Sequence, residues 1–246
     1  MKVRIGAAGW AIPGAWRACF PSDGSQLARY SREFSGVEIN SSFKRHHKAA
    51  TYARWATSVG PDFRFCVKLP RAVTHERRLA DAGDELRRFA EEVQGLGAKL
   101  AVVLVQTPPS LAFDPILAAD FFGLAKDLFS ADLACEPRHP SWFTDVADTL
   151  LRDNRVARVA ADPAPVPAAA CPGGWPDMAY FRLHGRPRIY WSAYDAETID
   201  AQANAIAAVA ATAPDIWVIY DNTASGAATG NGLQLRERLG AKNLSA

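Results

Sequence analysis

Short apolar runs recur along the whole chain, at residues 3–5, 37–39, 63–67, 100–105, 133–135, 157–161, 179–183 and 216–220. Several are apolar without clean alternation, the pattern of strands covered on both faces by helices in a parallel sheet. The stretches between them carry helical spacing. Leu86, Phe89, Ala90 and Val93 stand at i, i+3, i+4 and i+7, with Arg87, Arg88, Glu91 and Glu92 on the opposite side. Asp114 followed by Pro115 reads as an N-cap and first helical position, ahead of Leu117, Phe121, Leu124 and Leu128. Ile199, Ala203, Ile206 and Ala210 repeat the spacing near the end of the chain, and Leu27, Tyr30 and Phe34 near its start. Shorter helices are expected within 52–57, 143–151 and 233–239.

Strands alternating with helices predict an α/β fold, a single (β/α)8 TIM-barrel-like domain over residues 1–246. The alternation fails once. Residues 162–177 hold Pro163, Pro165, Pro167, Pro172 and Pro176, so the crossover between strands six and seven is expected to be irregular. A doubly wound sheet is the alternative, but no GxGxxG follows the first strand and no GxxxxGK[ST] occurs.

Composition narrows the classes. The longest apolar run is residues 205–211, far short of the roughly 18 needed to span a bilayer, and no secretory leader follows Lys2 and Arg4, so a cytoplasmic, membrane-free protein is expected. The 4 cysteines form no CxxC pair, which speaks against a disulfide framework or zinc ribbon. A net charge of +2 argues against a broad nucleic-acid surface and leaves room for a local basic pocket.

In a parallel barrel the residues after each apolar run converge on one rim. That rim receives Gly9 and Trp10, Glu38 and Asn40, Lys68, Gln106, then Glu136, Arg138 and His139, Asp162, Arg182 and His184, and finally Asn222 and Thr223. Glu38 sits inside an apolar run, and a buried carboxylate needs a partner. Lys68 is the natural candidate, as a structural ion pair or as part of the chemistry. A Schiff-base role for Lys68 would require strong desolvation or a neighbouring cation, against the opposing pull of adjacent carboxylates. Glu136, Arg138 and His139 offer an acid, an anion fork and a group that titrates near neutrality, or alternatively a salt-bridged loop. Arg182, His184 and Gly185 form a second cluster, in which glycine would let backbone approach a ligand. Asn222, Thr223, Ser225 and Gly226 could add uncharged donors or simply form a turn. Glu38, Glu136, Asp162 and His184 could together ligate a divalent metal, although no local spacing favours one and no other cofactor is implied. Trp10 and Trp16 could form a stacking platform or pack on the barrel top. His46 and His47 follow Lys44 and Arg45 in a basic stretch expected to be solvated surface.

The same residues carry a family resemblance. Gly9-Trp10 with Trp16 and Phe20-Pro21, Val37-Glu38-Ile39-Asn40-Ser41-Ser42-Phe43, Lys68 with Thr74-His75 and Arg78-Leu79, and Gln106 with Pro108-Pro109 come first. Glu136-Pro137-Arg138-His139-Pro140-Ser141-Trp142, Asp162-Pro163, Tyr180-Phe181-Arg182-Leu183-His184-Gly185 and Asn222-Thr223 with Gly226 follow in order. Together they resemble the DUF72 (YecE-like) family over essentially the whole chain. The resemblance implies a TIM-barrel-like fold and no particular reaction. Ala7 and Ala8 replace the hydroxyl residues of the family's first motif, Lys44 stands where an aromatic is common, and Gly232 where Ala often follows Asn231.

The residues point to an enzyme acting by acid/base chemistry on a small phosphate- or carboxylate-bearing substrate, as a hydrolase, lyase or isomerase. Glu136 and His184 would transfer protons, Glu38 and Lys68 would set the electrostatics, and Arg138 and Arg182 would hold the anion. Trp10, Asn40, Gln106, His139, Asp162, Asn222 and Thr223 would complete the binding set. The alternative is a noncatalytic binder of a small anion or a nucleic-acid end, with Trp10 stacking on a base or sugar.

Overall fold

The computed structural model describes residues 2–241. Its strands are β1 Lys2–Ala7, β2 Gly36–Ile39, β3 Arg64–Lys68, β4 Leu100–Gln106, β5 Asp132–Glu136, β6 Val156–Arg158, β7 Ala160–Asp162, β8 Gly173–Gly174, β9 Met178–Leu183 and β10 Asp215–Tyr220. The helices are α1 Gln26–Tyr30, α2 Ala49–Thr57, α3 Gly83–Val93, α4 Pro115–Leu128, α5 Asp145–Asp153, α6 Ala196–Val209 and α7 Ala227–Ala241. Sequence fixes several starts through caps. The Asp114 carboxylate accepts from the Ile116 and Leu117 N–H groups, Asp195 accepts from Thr198 N–H, and Thr144 Oγ1 accepts from Ala147 N–H, each satisfying a donor that the first helical turn leaves open. Among the described residues no helix is long and apolar enough to cross a membrane.

The expected closed ring of strands is not what the hydrogen bonds form. They make two sheets, one ordered β1-β10-β9-β7 and the other β2-β3-β4-β5-β6-β8, and every pairing except the antiparallel β6/β8 contact is parallel. Two places separate them. The sixth apolar run is split: Val159 N–H donates to Cys135 O at 2.8 Å, whereas the next residue, Ala160, pairs with Phe181 of β9. Between β1 and β2, side chains stand where ladder bonds would run. Ile5 N–H donates to Ser35 Oγ at 3.2 Å, Ala7 N–H donates to the Tyr30 hydroxyl at 2.8 Å, and that hydroxyl donates to Gly36 O at 3.3 Å. Close approach at this seam needs glycine, because a Cβ on Gly6 would stand 2.1 Å from the Gly36 carbonyl oxygen.

Period-two alternation sorts the strand residues into two cores. Phe65, Val67, Val103, Val105, Leu133, Cys135, Ala179 and Phe181 pack outward against the helices. Cys66, Val102, Leu104, Ala134, Ala157, Met178, Tyr180, Trp217 and Ile219, drawn from both sheets, pack together in a second cluster. The two sheets therefore face one interior, although no continuous ladder encircles it. The proline-rich crossover contains only a short 3-10 turn at Pro167–Ala170 and the two-residue β8, as its composition predicts.

Candidate functional site

The inward rows change character at the carboxyl ends of the strands. Tyr180 is followed two and four residues later by Arg182 and His184, Cys66 by Lys68, Leu104 by Gln106, Ala134 by Glu136 and Ile219 by Asp221. Glu38 joins them from β2. Glu38, Glu136 and Arg182 are each 0% exposed and His184 is 2% exposed, so these charges must satisfy one another.

Arg182 organises them. Its Nε and Nη2 donate to Glu38 Oε2 and Oε1 at 2.9 and 2.7 Å, a bidentate pair, while Nη1 donates to Glu136 Oε2 at 2.5 Å and Nη2 also reaches Asp221 Oδ2 at 2.9 Å. The Tyr180 hydroxyl donates to Glu38 Oε2 at 3.2 Å. Lys68, the expected partner of Glu38, is not its partner. Which inward side chain faces Glu38 depends on strand stagger, and that places the Arg182 fork across from it. Burial alone would suppress ionisation of Arg182, but Glu38, Glu136 and Asp221 hold its pKa well above the ordinary value. Burial likewise opposes a charged Glu136, and Arg182, His184 and Arg138 overcome it, holding that carboxyl well below its usual range.

His184 lies between two of the acids, with Nε2 at 2.8 Å from Glu136 Oε1 and Nδ1 at 3.1 Å from Asp221 Oδ2. Although burial disfavours its charge, Glu136 and Asp221 raise its pKa. Carboxylates at both ring nitrogens favour the form in which both are donors, the imidazolium. Its Nε2 also approaches Arg138 Nη2 at 3.2 Å. That approach brings two cations onto Glu136 Oε1, with which Arg138 Nη2 forms an ion pair at 2.9 Å, because an Nε2 that donates to Glu136 cannot also accept from Arg138.

Above this floor opens a cleft of about 510 Å³, lined by Asn40, Phe43, Lys44, Lys68, Arg71, His75, Gln106, Thr107, Pro109, Arg138, Tyr190, Asp221 and Thr223. Of the residues predicted from sequence, Asn40, Lys68, Gln106, Arg138 and Thr223 meet there. Lys68 is only 6% exposed, and its Nζ lies 4.3 Å from the centre of the Phe43 ring. Burial, reinforced by the positive charge of Arg182, brings its pKa down to about 8 against the opposing pull of Glu38, Asp221 and Glu136. His75 is held down by burial and then by Lys68, Arg71 and Arg138. Two polar atoms on the lining residues, Thr107 Oγ1 and Arg138 Nε, are buried with no hydrogen-bond partner among the described residues.

Other predicted residues lie elsewhere. Arg182, expected to grip an anion, has carboxylates on all three nitrogens. Trp10 packs edge-on against Trp55, with ring centres 5.0 Å apart. His139 Nδ1 accepts from Ser141 N–H at 3.2 Å and caps the short turn Pro140–Trp142. The Asp162 carboxylate faces Arg186 at 3.7 Å, while Glu38, Glu136 and His184 are taken up by Arg182 and by one another. Among the described residues no three His, Cys, Asp or Glu side chains are grouped to hold an ion. Asn222 turns from the cleft and donates through Nδ2 to Ser192 O and to Asn231 Oδ1, each at 2.9 Å. Gly185 has a φ of +84°, and a Cβ there would stand 2.4 Å from Ser192 O, so glycine is needed for the packing of its own loop. The residues missed include Thr107, Asp221, Arg71 and Tyr190. Asp221 had a signal, since it continues the inward parity of Trp217 and Ile219; Arg71 and Tyr190 stand on irregular segments where no periodicity points to them.

Comparison with known proteins agrees with this architecture. The UPF0759 protein YecE of Escherichia coli (strain K12) is 28% identical over 172 residues, covering 68% of this chain, and the matched stretch spans 61% of that protein's length. A DUF72 family protein of Enterococcus faecalis V583 superposes with a TM-score of 0.82 at 21% identity, covering 97% of this chain and 96% of that one. A DUF72 family protein of Thermotoga maritima MSB8 gives a TM-score of 0.79 at 23% identity, covering 98% and 100% of the two chains. The family model described as "Protein of unknown function DUF72" matches residues 4–246, and the chain belongs to that family.

Proposed function

We propose that the cleft binds a small phosphate- or carboxylate-bearing molecule and performs acid/base chemistry on it, with Lys68 as the group that moves the proton. The observation that carries this reading is the unequal satisfaction of charge. Beneath the cleft, Glu38, Glu136 and Asp221 are met by Arg182, His184 and Arg138. Around the cleft stand Lys68 and Lys44, which have no carboxylate in ion-pairing range among the described residues, Arg71, whose exposed partner Glu76 is 3.4 Å away, and the free Nε of Arg138, with Asp221 the one carboxylate of the lining. The unpartnered Thr107 Oγ1 and Arg138 Nε are donors of the kind an anion's oxygens satisfy. An amine that titrates at about 8 can both give and take a proton near neutrality. Glu38, Glu136 and His184, predicted as catalytic, act in this reading as positioning residues that neutralise the floor and set the charge felt by Lys68. The strands, though joined by no continuous ladder, would serve as a barrel whose mouth is this cleft.

Titration of the protein with inorganic phosphate, followed by calorimetry, tests the proposal. We expect saturable binding that Arg138→Ala and Arg71→Ala each weaken on the order of tenfold, the cost of losing one charge-assisted contact. Equal affinity in both variants and the parent protein would remove the anion site.

A further inference from the structure

We propose that Lys68 is an imine-forming nucleophile, whose amine condenses with the carbonyl of a small aldehyde or ketone that also bears a phosphate or carboxylate. The inference rests on the anion-binding reading of the cleft and adds the class of substrate; the protons that Lys68 moves are then its own, delivered to the departing carbonyl oxygen. Among the described residues no carboxylate forms an ion pair with Nζ, the nearby acids being paired with Arg182 instead, and the residue is 6% exposed. That differs from an ordinary buried lysine, which is held charged by a direct acidic partner. The groups that face it are Arg182 on β9, Glu38 on β2, Glu136 on β5, Asp221 after β10, the Phe43 ring, and Lys44, Arg71, His75 and Arg138 around the mouth. The three acids are ion-paired with Arg182, His184 and Arg138 and still pull on the ammonium from a distance, but burial and the charge of Arg182 outweigh them. Desolvation and a neighbouring cation are the two conditions that make a lysine amine available as a nucleophile.

The step balances without another reactant. The amine lone pair forms a C–N bond to the carbonyl carbon, and the carbonyl oxygen becomes a hydroxyl. One proton of the original ammonium, released to free the lone pair, ends on the carbonyl oxygen, and a second passes from nitrogen to the resulting hydroxyl, which leaves as water; the third stays, so that the product is a protonated imine carrying the charge the lysine began with. A ligand with its anionic group on Arg71, Arg138 or Lys44 would lie within the same cleft as Nζ, and the positive imine would draw electrons from the adjoining bond, as lyase and isomerase chemistry requires.

Three probes sample the class: glyceraldehyde 3-phosphate, dihydroxyacetone phosphate and pyruvate, each incubated with the whole protein and then reduced with borohydride. We expect at least one to give a single reduced adduct by intact mass, located by peptide mapping on Lys68. Its yield should be half-maximal near pH 8, where this amine loses its proton. Inorganic phosphate should suppress the adduct, and Lys68→Arg should lower it more than tenfold while keeping the parent's thermal unfolding profile. Mapping on the parent protein locates the adduct even where that variant does not fold. Labelling spread over Lys2, Lys44, Lys48, Lys99 and Lys126, or no adduct from any probe, overturns the inference. If phosphate still binds when no adduct forms, imine chemistry falls and the anion site stands; if neither is seen, both fall.

Discussion

Arg182 shows how a wholly buried cation can be structural and still govern a site. It has no contact with water, and each of its nitrogens faces a carboxylate. Removing one member of such a group leaves the others charged in a low dielectric, which is costlier than the pair was ever stabilising. We expect Arg182→Gln to lose about 3–5 kcal/mol in urea denaturation. A loss below about 1 kcal/mol would mean that water reaches the network. His184 predicts a pH dependence whose sign follows from its raised pKa. Its contribution is complete below the unfolded value of 6.5 and disappears as pH climbs through the higher folded value. The stability difference between the parent protein and His184→Asn should therefore be greatest below 6.5 and shrink in alkali. A difference that grew with pH would show that the ring is neutral. Glu136 and Asp221 act at the other end, because carboxyls held low stabilise above their ordinary values of 4.5 and 3.8 and lose that contribution in acid. At this scale the sequence was informative where parity was. Glu38, Glu136 and Arg182 stand on inward rows, but the identity of Glu38's partner depends on stagger across the interior, which a one-dimensional pattern does not contain.

The elements were legible where one residue type dictates geometry. Asp114-Pro115 starts α4 where a cap and a fixed φ predict it, and the proline-rich crossover forms no α-helix. The seam between β1 and β2 was not legible, because it depends on a hydroxyl from α1 taking the place of a strand neighbour. Tyr30 is 0% exposed and its oxygen joins Ala7 N–H to Gly36 O, so Tyr30→Phe leaves a buried donor and an acceptor unmet. We expect that change to cost about 1–3 kcal/mol. Gly6→Ala would drive a methyl group into the Gly36 carbonyl and should cost about 1–3 kcal/mol by overpacking. Both act on one contact, so the double variant should fall short of the sum by at least about 0.5 kcal/mol, as expected for coupled neighbours. Strict additivity would show that the seam flexes enough to isolate the two changes.

Over the whole molecule the charges nearly cancel, with 28 basic and 26 acidic residues, and this balance concealed the cleft. Local imbalance arises because strands distant in sequence deliver their last inward residues to one end, while loops add Arg71, Lys44 and Arg138. Composition could exclude a broad basic surface but could not locate a small one. The two populations of charge should then respond differently to salt. The floor network lies out of solvent at separations of 2.5–3.1 Å, where mobile ions do not enter. Lys44 and Arg71 at the rim of the cleft face solvent, where screening acts over about 10 Å at 0.1 M salt and about 3 Å at 1 M. We therefore expect phosphate affinity to fall on the order of tenfold between 0.05 and 0.5 M sodium chloride, while the urea midpoint at pH 7 moves little. Calorimetric titrations and denaturation curves on the same samples separate the two effects. If affinity and stability fell together, the cations of the cleft and those of the floor would form one solvent-exposed set, and the division of labour proposed for Lys68 and Arg182 would have no physical basis.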